Sequence, residues 1–314
     1  MPIIKATDVA HVRLRSPDLD AAEQFLADLG MVRAAREKTA LYMRGTDPDH
    51  HIHVTELGEP RFVGLAFHAA SEDDLERVSR VEGASSIEAI DEPGGGRRVR
   101  LADPHGYRID VVHGIATGAP LPVRRNVLNS GDERYRRTGE CKRLLPGAPQ
   151  VKRIGHAVIM TPRLPTAIAW YREMLGFVCS DEVYEGDPRN IIASFNRCDR
   201  GARFVDHHVF LCAKGERTGL HHVSFEVQDI DDVIMGHEHM ASAGRYRHVW
   251  GVGRHQLGSQ VFDYWSDPWG RVHEIWTDTD MLNVSHPPGL IPVEQFGSQW
   301  GEPQPRWFSE HASP

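Results

Sequence analysis

His156, His222 and Glu274 lie far apart in the sequence but have the side chains of a divalent-metal site. Two imidazoles and one carboxylate on one face leave three octahedral positions open, the arrangement of a non-heme Fe(II) centre that must hold two reactants together. The chain carries 19 histidines, several as adjacent pairs (His50-His51, His207-His208, His221-His222), and imidazole serves both as ligand and as acid or base near neutral pH. Taken singly, each of the three candidates is an ordinary polar residue at a strand end. Their position in a repeat is what groups them.

Residues 9–31 (VAHVRLRSPDLDAAEQFLADLGM) and 154–177 (IGHAVIMTPRLPTAIAWYREMLGF) both read as a short alternating strand, a turn, and an amphipathic helix ending at Gly30 or Gly176. Ala22, Phe25, Leu26 and Leu29 share one helical face, as do Ile168, Tyr171 and Leu175. Asp18 suits an N-cap, Pro165 a first turn, and the glycines a left-handed C-cap. Two further correspondences pair 63–78 with 221–236 and RLADPHGYRIDVV (100–112) with YWSDPWGRVHEIW (264–276), where Asp-Pro-x-Gly is a turn between strands. Strand, helix, strands therefore recurs four times. His156 matches His11, His222 matches Gly64, and Glu274 matches Asp110, so only the second half keeps the full ligand set and His11 marks a degenerate site.

The expected fold class is α+β, with two tandem domains, each of two βαβββ modules forming a curved, incompletely closed barrel around a cavity. The expected limits are a first domain over 1–113, a linker over 114–150, a catalytic domain over 151–277, and a tail over 278–314 that docks on the body through Phe296, Trp300, Trp307 and Phe308. The linker's basic patch (Arg124, Arg125, Arg136, Arg137, Lys142, Arg143) reads as a solvated connection. A chain of 314 residues with net charge -8 and no dense basic block has the size for two cores and no electrostatic footprint for nucleic acid or an anionic membrane. No apolar run reaches the roughly 20 residues that span a bilayer, and the first residues lack a signal-peptide core, so a cytoplasmic location is expected. Cys141, Cys179, Cys198 and Cys212 are scattered and read as reduced thiols.

Segments 155–177 (GHAVIMTPRLPTAIAWYREMLGF), 220–227 (LHHVSFEV) and 253–276 (GRHQLGSQVFDYWSDPWGRVHEIW) closely resemble the type I extradiol dioxygenases of the vicinal oxygen chelate superfamily, and the resemblance runs from His11 to about Asp278. It implies Fe(II), with Mn(II) as the alternative, held by His156, His222 and Glu274, with His221 pointing away. It also implies O2 as co-substrate, an aromatic diol as substrate, and a muconic-semialdehyde-type product in aromatic catabolism. The family's acid/base histidine falls on His207, 15 residues before His222, with His208 as the substitute, because this chain has Asp206-His207-His208 where the family has a single histidine. Its hydrogen-bonding pair falls on His255 and Tyr264. A homo-oligomer is implied as well.

Val158 and Met160 share the side of His156, and Trp250 and Phe262 are candidates for an apolar wall, which suits alkyl- or hydroxy-substituted catechols. With no Arg or Lys securely placed there, a carboxylated catechol is disfavoured. Trp265 and Trp269 read as core or turn residues. The competing readings are a glyoxalase-type lyase or isomerase with Zn²⁺ or Ni²⁺, and a metal-free binding protein of the same superfamily. Four modules, three ligands and the shell of His207, His255 and Tyr264 favour the dioxygenase.

Overall fold

The computed structural model describes residues 1–124 and 127–313, so Arg125 of the basic patch and Pro314 of the tail lie outside the described residues. Two open sheets, of eight and ten strands, form the body. At the centre of the first, Val9–Ser16 runs antiparallel to Arg61–His68, and each has a parallel neighbour on its outer side, His53–Leu57 and Arg108–His113. The second sheet repeats the plan with Val151–Thr161 against Gly219–Val227, flanked by Phe210–Lys214 and Val272–Thr277. Strand, helix and three strands recur in each quarter, and the outermost strands of a sheet do not pair with each other. The α+β class and the unclosed barrels are as expected.

Local chemistry sets the helix ends. Asp18 caps the helix Leu19–Asp28 by accepting from the backbone N–H groups of Asp20 and Ala21, and Ala22, Phe25 and Leu26 bury the face that packs on the sheet. The expected left-handed cap at Gly30 is not formed there: Leu29 closes the helix in a right-handed conformation, and Gly30 follows with φ +109°. Gly30 instead permits a close approach, since a Cβ would collide with the Pro149 carbonyl where the connector returns. In the second half Pro165 does occupy the first turn of Leu164–Leu175, and Gly176 caps it at φ +70°.

The two Asp-Pro-x-Gly turns are built alike and lock the halves together. Asp103 Oδ1 accepts from the N–H groups of His105 and Tyr107, and Asp267 Oδ1 from those of Trp269 and Arg271. Each turn then reaches into the other half. Tyr171 donates its hydroxyl to Asp103 Oδ2 at 3.1 Å, while Arg271, paired with Asp267, donates to Ser16 Oγ at 2.8 Å. Asp28 adds a third tie by accepting from Tyr246 and Arg245. Trp265 is buried and Trp269 sits in its turn, as expected.

The tail does more than lie on the body. Gly289–Pro292 adds a parallel edge to Val178–Tyr184, and Ser298–Trp300 adds an antiparallel edge to Arg247–His255, so both outer strands of the ten-stranded sheet come from it. Phe308 is fully buried, and Ser313 bridges to Leu220. The basic connector is pinned as well, Arg124 to Asp232 and Lys142 to Asp231 at the start of the helix Ile230–Ala243. All four cysteines are free. Among the described residues no helix is long and apolar enough to cross a membrane.

Candidate metal centre

His156 lies on Val151–Thr161, His222 on Gly219–Val227 and Glu274 on Val272–Thr277, three neighbouring strands of one sheet. The register brings them together because Ser224 pairs with both His156 and Glu274, so side chains on one face of the pleat converge. Glu274 Oε2 lies 3.1 Å from His156 Nε2 and 3.5 Å from His222 Nε2, and the two nitrogens are 3.4 Å apart. Ligands about 2.1 Å from an octahedral cation and at right angles lie about 3.0 Å apart. The triangle therefore fits a cation held on one face, with the donor set that Fe(II) and Mn(II) accept.

Electrostatics favour the same occupant. Glu274 is fully buried, which raises a carboxyl pKa, yet the bonds to His156 and His255 and the nearby imidazoles hold it well below the usual carboxylate range. Burial pushes His222 well below the ordinary histidine value despite Glu274, so it keeps a free lone pair. Ser224 donates its hydroxyl to Glu274 Oε2 at 2.5 Å and fixes the carboxylate.

The neighbour expected to point away, His221, is instead bonded to the site. Its Nε2 lies 2.8 Å from the Phe308 carbonyl oxygen. A carbonyl only accepts, so Nε2 carries the proton, and the Nδ1 of the neutral ring accepts from His222 Nδ1–H at 2.6 Å. Burial supports the neutral form by lowering the His221 pKa to about 3. The consequence is a His222 tautomer whose Nε2 lone pair faces Glu274. Sequence reasoning missed this role, because the partner is a main-chain atom of the tail, 87 residues away.

Above the triangle lies a cavity of about 100 Å³. Val158, Met160 and Trp250 line it as expected, together with Phe195, Leu211 and Phe308. Phe262 does not: it stacks behind His255 at 3.9 Å and packs on Trp250 at 4.3 Å between ring centres. Tyr264 and His255 both line the cavity, and His255 Nε2 is 2.8 Å from the Tyr264 hydroxyl and 3.3 Å from Glu274 Oε1. Burial, and then Glu274, keep the Tyr264 hydroxyl well above its ordinary pKa.

Of the adjacent pair, His208 enters the cavity, with its ring centre 4.1 Å from that of His156. The expectation for His207 is corrected on this point. His207 is also buried but turns away from the cavity, where its Nε2 bonds Asp181 at 2.7 Å, and its Nδ1 meets His208 Nδ1 at 3.1 Å. The two stand at the bend before Phe210–Lys214, where counting residues does not decide which one faces inward.

The first half keeps the frame, with His11 and Asp110 in place, but has lost the second imidazole. Ala66 pairs with His11 and Asp110 as Ser224 does with His156 and Glu274, and His51 lies against His11 as His208 lies against His156. A Cβ at Gly64 would collide with the Arg108 carbonyl, so no second imidazole fits there. Cations occupy the region instead. Arg108 bonds Asp110 at 2.7 Å, and Arg13, on the face where Val158 stands in the other half, pairs with Glu56 and Glu92.

Residues 153–275 match the Glyoxalase/Bleomycin resistance protein/Dioxygenase superfamily. Metapyrocatechase 2 of Cupriavidus necator is 30% identical over 306 residues, covering 96% of this chain and 90% of that protein. Homoprotocatechuate 2,3-dioxygenase of Brevibacterium fuscum, crystallised with 3,4-dihydroxyphenylacetate, superposes with a TM-score of 0.82 at 20% identity over 99% of this chain and 94% of its own. A Mn(II)-bound glyoxalase of Novosphingobium aromaticivorans superposes with a TM-score of 0.80 at 23% identity over 99% and 96%. The chain belongs to the vicinal oxygen chelate superfamily, within it to the extradiol dioxygenases. One fold thus carries both activities among these structures, and the choice between them rests on the site.

Proposed function

We propose that the protein is an Fe(II)-dependent extradiol dioxygenase that opens an alkyl- or hydroxy-substituted catechol with O2 to a muconic-semialdehyde-type product, Mn(II) being able to serve the same ligands. The supporting observation is the His156, His222 and Glu274 triangle under a largely apolar cavity whose polar groups include His208, His255 and Tyr264. A cation bound by those three side chains supplies a Lewis-acid and one-electron centre at which a diol and O2 become neighbours.

The remaining steps belong to the chain. His208, moved into the role expected of His207, takes the proton of one diol hydroxyl and returns it to the reacting oxygen. His255 and Tyr264, already bonded to each other, hydrogen-bond a diol oxygen and orient the ring. Trp250, Phe195 and Phe308 fit the flat ring and exclude water. No Arg or Lys is among the described lining residues, which favours uncharged catechols over carboxylated ones. The domain limits 1–113 and 151–277, a cytoplasmic location and a homo-oligomer complete this reading.

The test is purification without oxygen, metal assay, and addition of catechol and methylcatechols in air. A yellow ring-fission product with O2 uptake is expected, and its loss in His222→Ala. Tightly bound zinc with no O2 uptake across the panel refutes the proposal. Turnover of a glyoxalase-type substrate without O2 places the chain with the glyoxalases.

A further inference from the structure

A second cluster of metal-ligand side chains lies on the opposite face of the same sheet. Asp263 and Tyr264 are adjacent on the strand Val261–Ser266, so they face opposite sides: Tyr264 lines the cavity, and Asp263 points under the helix Ile230–Ala243. There His237, from that helix, places Nδ1 at 3.2 Å from Asp263 Oδ2, and His248, from Arg247–His255, places Nε2 at 2.7 Å from Oδ1. The three donor atoms lie within 4.8 Å of one another.

Several features distinguish this cluster from a chance surface contact. Asp263 is fully buried, and its Oδ2 accepts from the Trp265 indole N–H at 2.6 Å, the outer bond that orients a ligating carboxylate. Gly251 leaves the space, because a Cβ there would come within 2.7 Å of Asp263 Oδ1. The imidazoles stand nearly perpendicular, at 85° with centres 4.8 Å apart, and each side chain is 33% exposed, which gives an ion a way in. The two imidazoles come from separate elements and approach different oxygens of the one carboxylate, so the three side chains converge on a shared space. Helix and sheet hold all three in place before any ion arrives.

We propose that His237, His248 and Asp263 bind a divalent transition metal of the zinc class, separate from the catalytic centre, clamping the helix Ile230–Ala243 to the strands that carry His255 and Tyr264. The bond to Asp263 raises the His237 pKa, so a proton held on that ring is released to solvent as the cation takes its place beside the carboxylate. A neutral ring instead moves its proton to its far nitrogen and turns the freed lone pair on the cation. Nitrogen and carboxylate donors with open positions filled by water suit Zn²⁺ and its neighbours rather than Ca²⁺.

The test titrates ZnCl₂ into the full-length protein, into His237→Gln, into His222→Ala and into the double variant, following stoichiometry by calorimetry. Gln at 237 still offers an N–H to Asp263, so the helix stays anchored. One equivalent is expected to survive in His222→Ala and to vanish in the double variant. Equal stoichiometry in His222→Ala and the double variant overturns the proposal. A second readout needs no variant: diethylpyrocarbonate labelling of His237 and His248, read by peptide mass, should fall when Zn²⁺ is present. Labelling at an unchanged rate refutes the site.

Discussion

Replacing His221 with Leu separates the support of the metal centre from the centre itself. The change removes the acceptor of His222 Nδ1–H, now at 2.6 Å, and the donor to the Phe308 carbonyl, now at 2.8 Å. Two buried polar groups are left unpaired at about 1–3 kcal/mol each, so the metal-free protein should lose about 2–6 kcal/mol, less where water enters. His222 is also no longer held in the tautomer that exposes Nε2. Loss of such an outer partner weakens metal affinity by about 10–100-fold, equivalent to about 1.4–2.8 kcal/mol. Anaerobic Fe(II) or Mn(II) titration reads the second effect, and urea denaturation of metal-free protein reads the first. His221→Gln, whose amide can both donate to Phe308 and accept from His222, should recover most of the affinity. If His221→Leu binds metal within about twofold of wild type while losing stability, the ring is a packing residue and does not set the His222 tautomer.

His208→Asn should lower turnover by about 10²–10⁴-fold with metal content unchanged, whereas His207→Asn should cost about 1 kcal/mol of stability through the lost Asp181 bond and leave turnover near wild type. The reverse ranking in steady-state assays returns the proton-transfer role to His207. Phe308→Ala, at a fully buried position beside both the cavity and His221, should cost about 3–5 kcal/mol by thermal or chemical unfolding and raise KM; an unchanged KM argues against the tail as a cavity wall. Burial, opposed by Arg153 and reinforced by Asp206, pushes Asp8 up to about 7, above its unfolded value near 4. A raised carboxyl pKa gives stability that is complete below the unfolded value and lost as pH rises through the folded one. Asp8→Asn has no charge to bury, so its melting temperature should gain on wild type from pH 5 to pH 8; a constant difference refutes the assignment.

The repeated strand-helix-strands plan, the two Asp-Pro-x-Gly turns, the caps at Asp18 and Gly176, and the candidate set His156, His222 and Glu274 are all legible in the order of residues. These are readable because period, turn chemistry and equivalent slots in a repeat are local properties, and a strand slot fixes which face a residue takes once its neighbour is known. Gly30 shows the limit of that logic: a glycine after a helix suggests a cap, but here a backbone 119 residues further on, at Pro149, sets the requirement. Three points emerge only once the sheets and the tail are assembled: that His208 rather than His207 faces inward, that Phe262 stands behind the cavity wall, and that His221 is tied to the tail. Each depends on chain segments brought together from outside the strand concerned. A bend has no fixed alternation to read, and a main-chain carbonyl such as that of Phe308 carries no mark in the sequence of the partner it will meet.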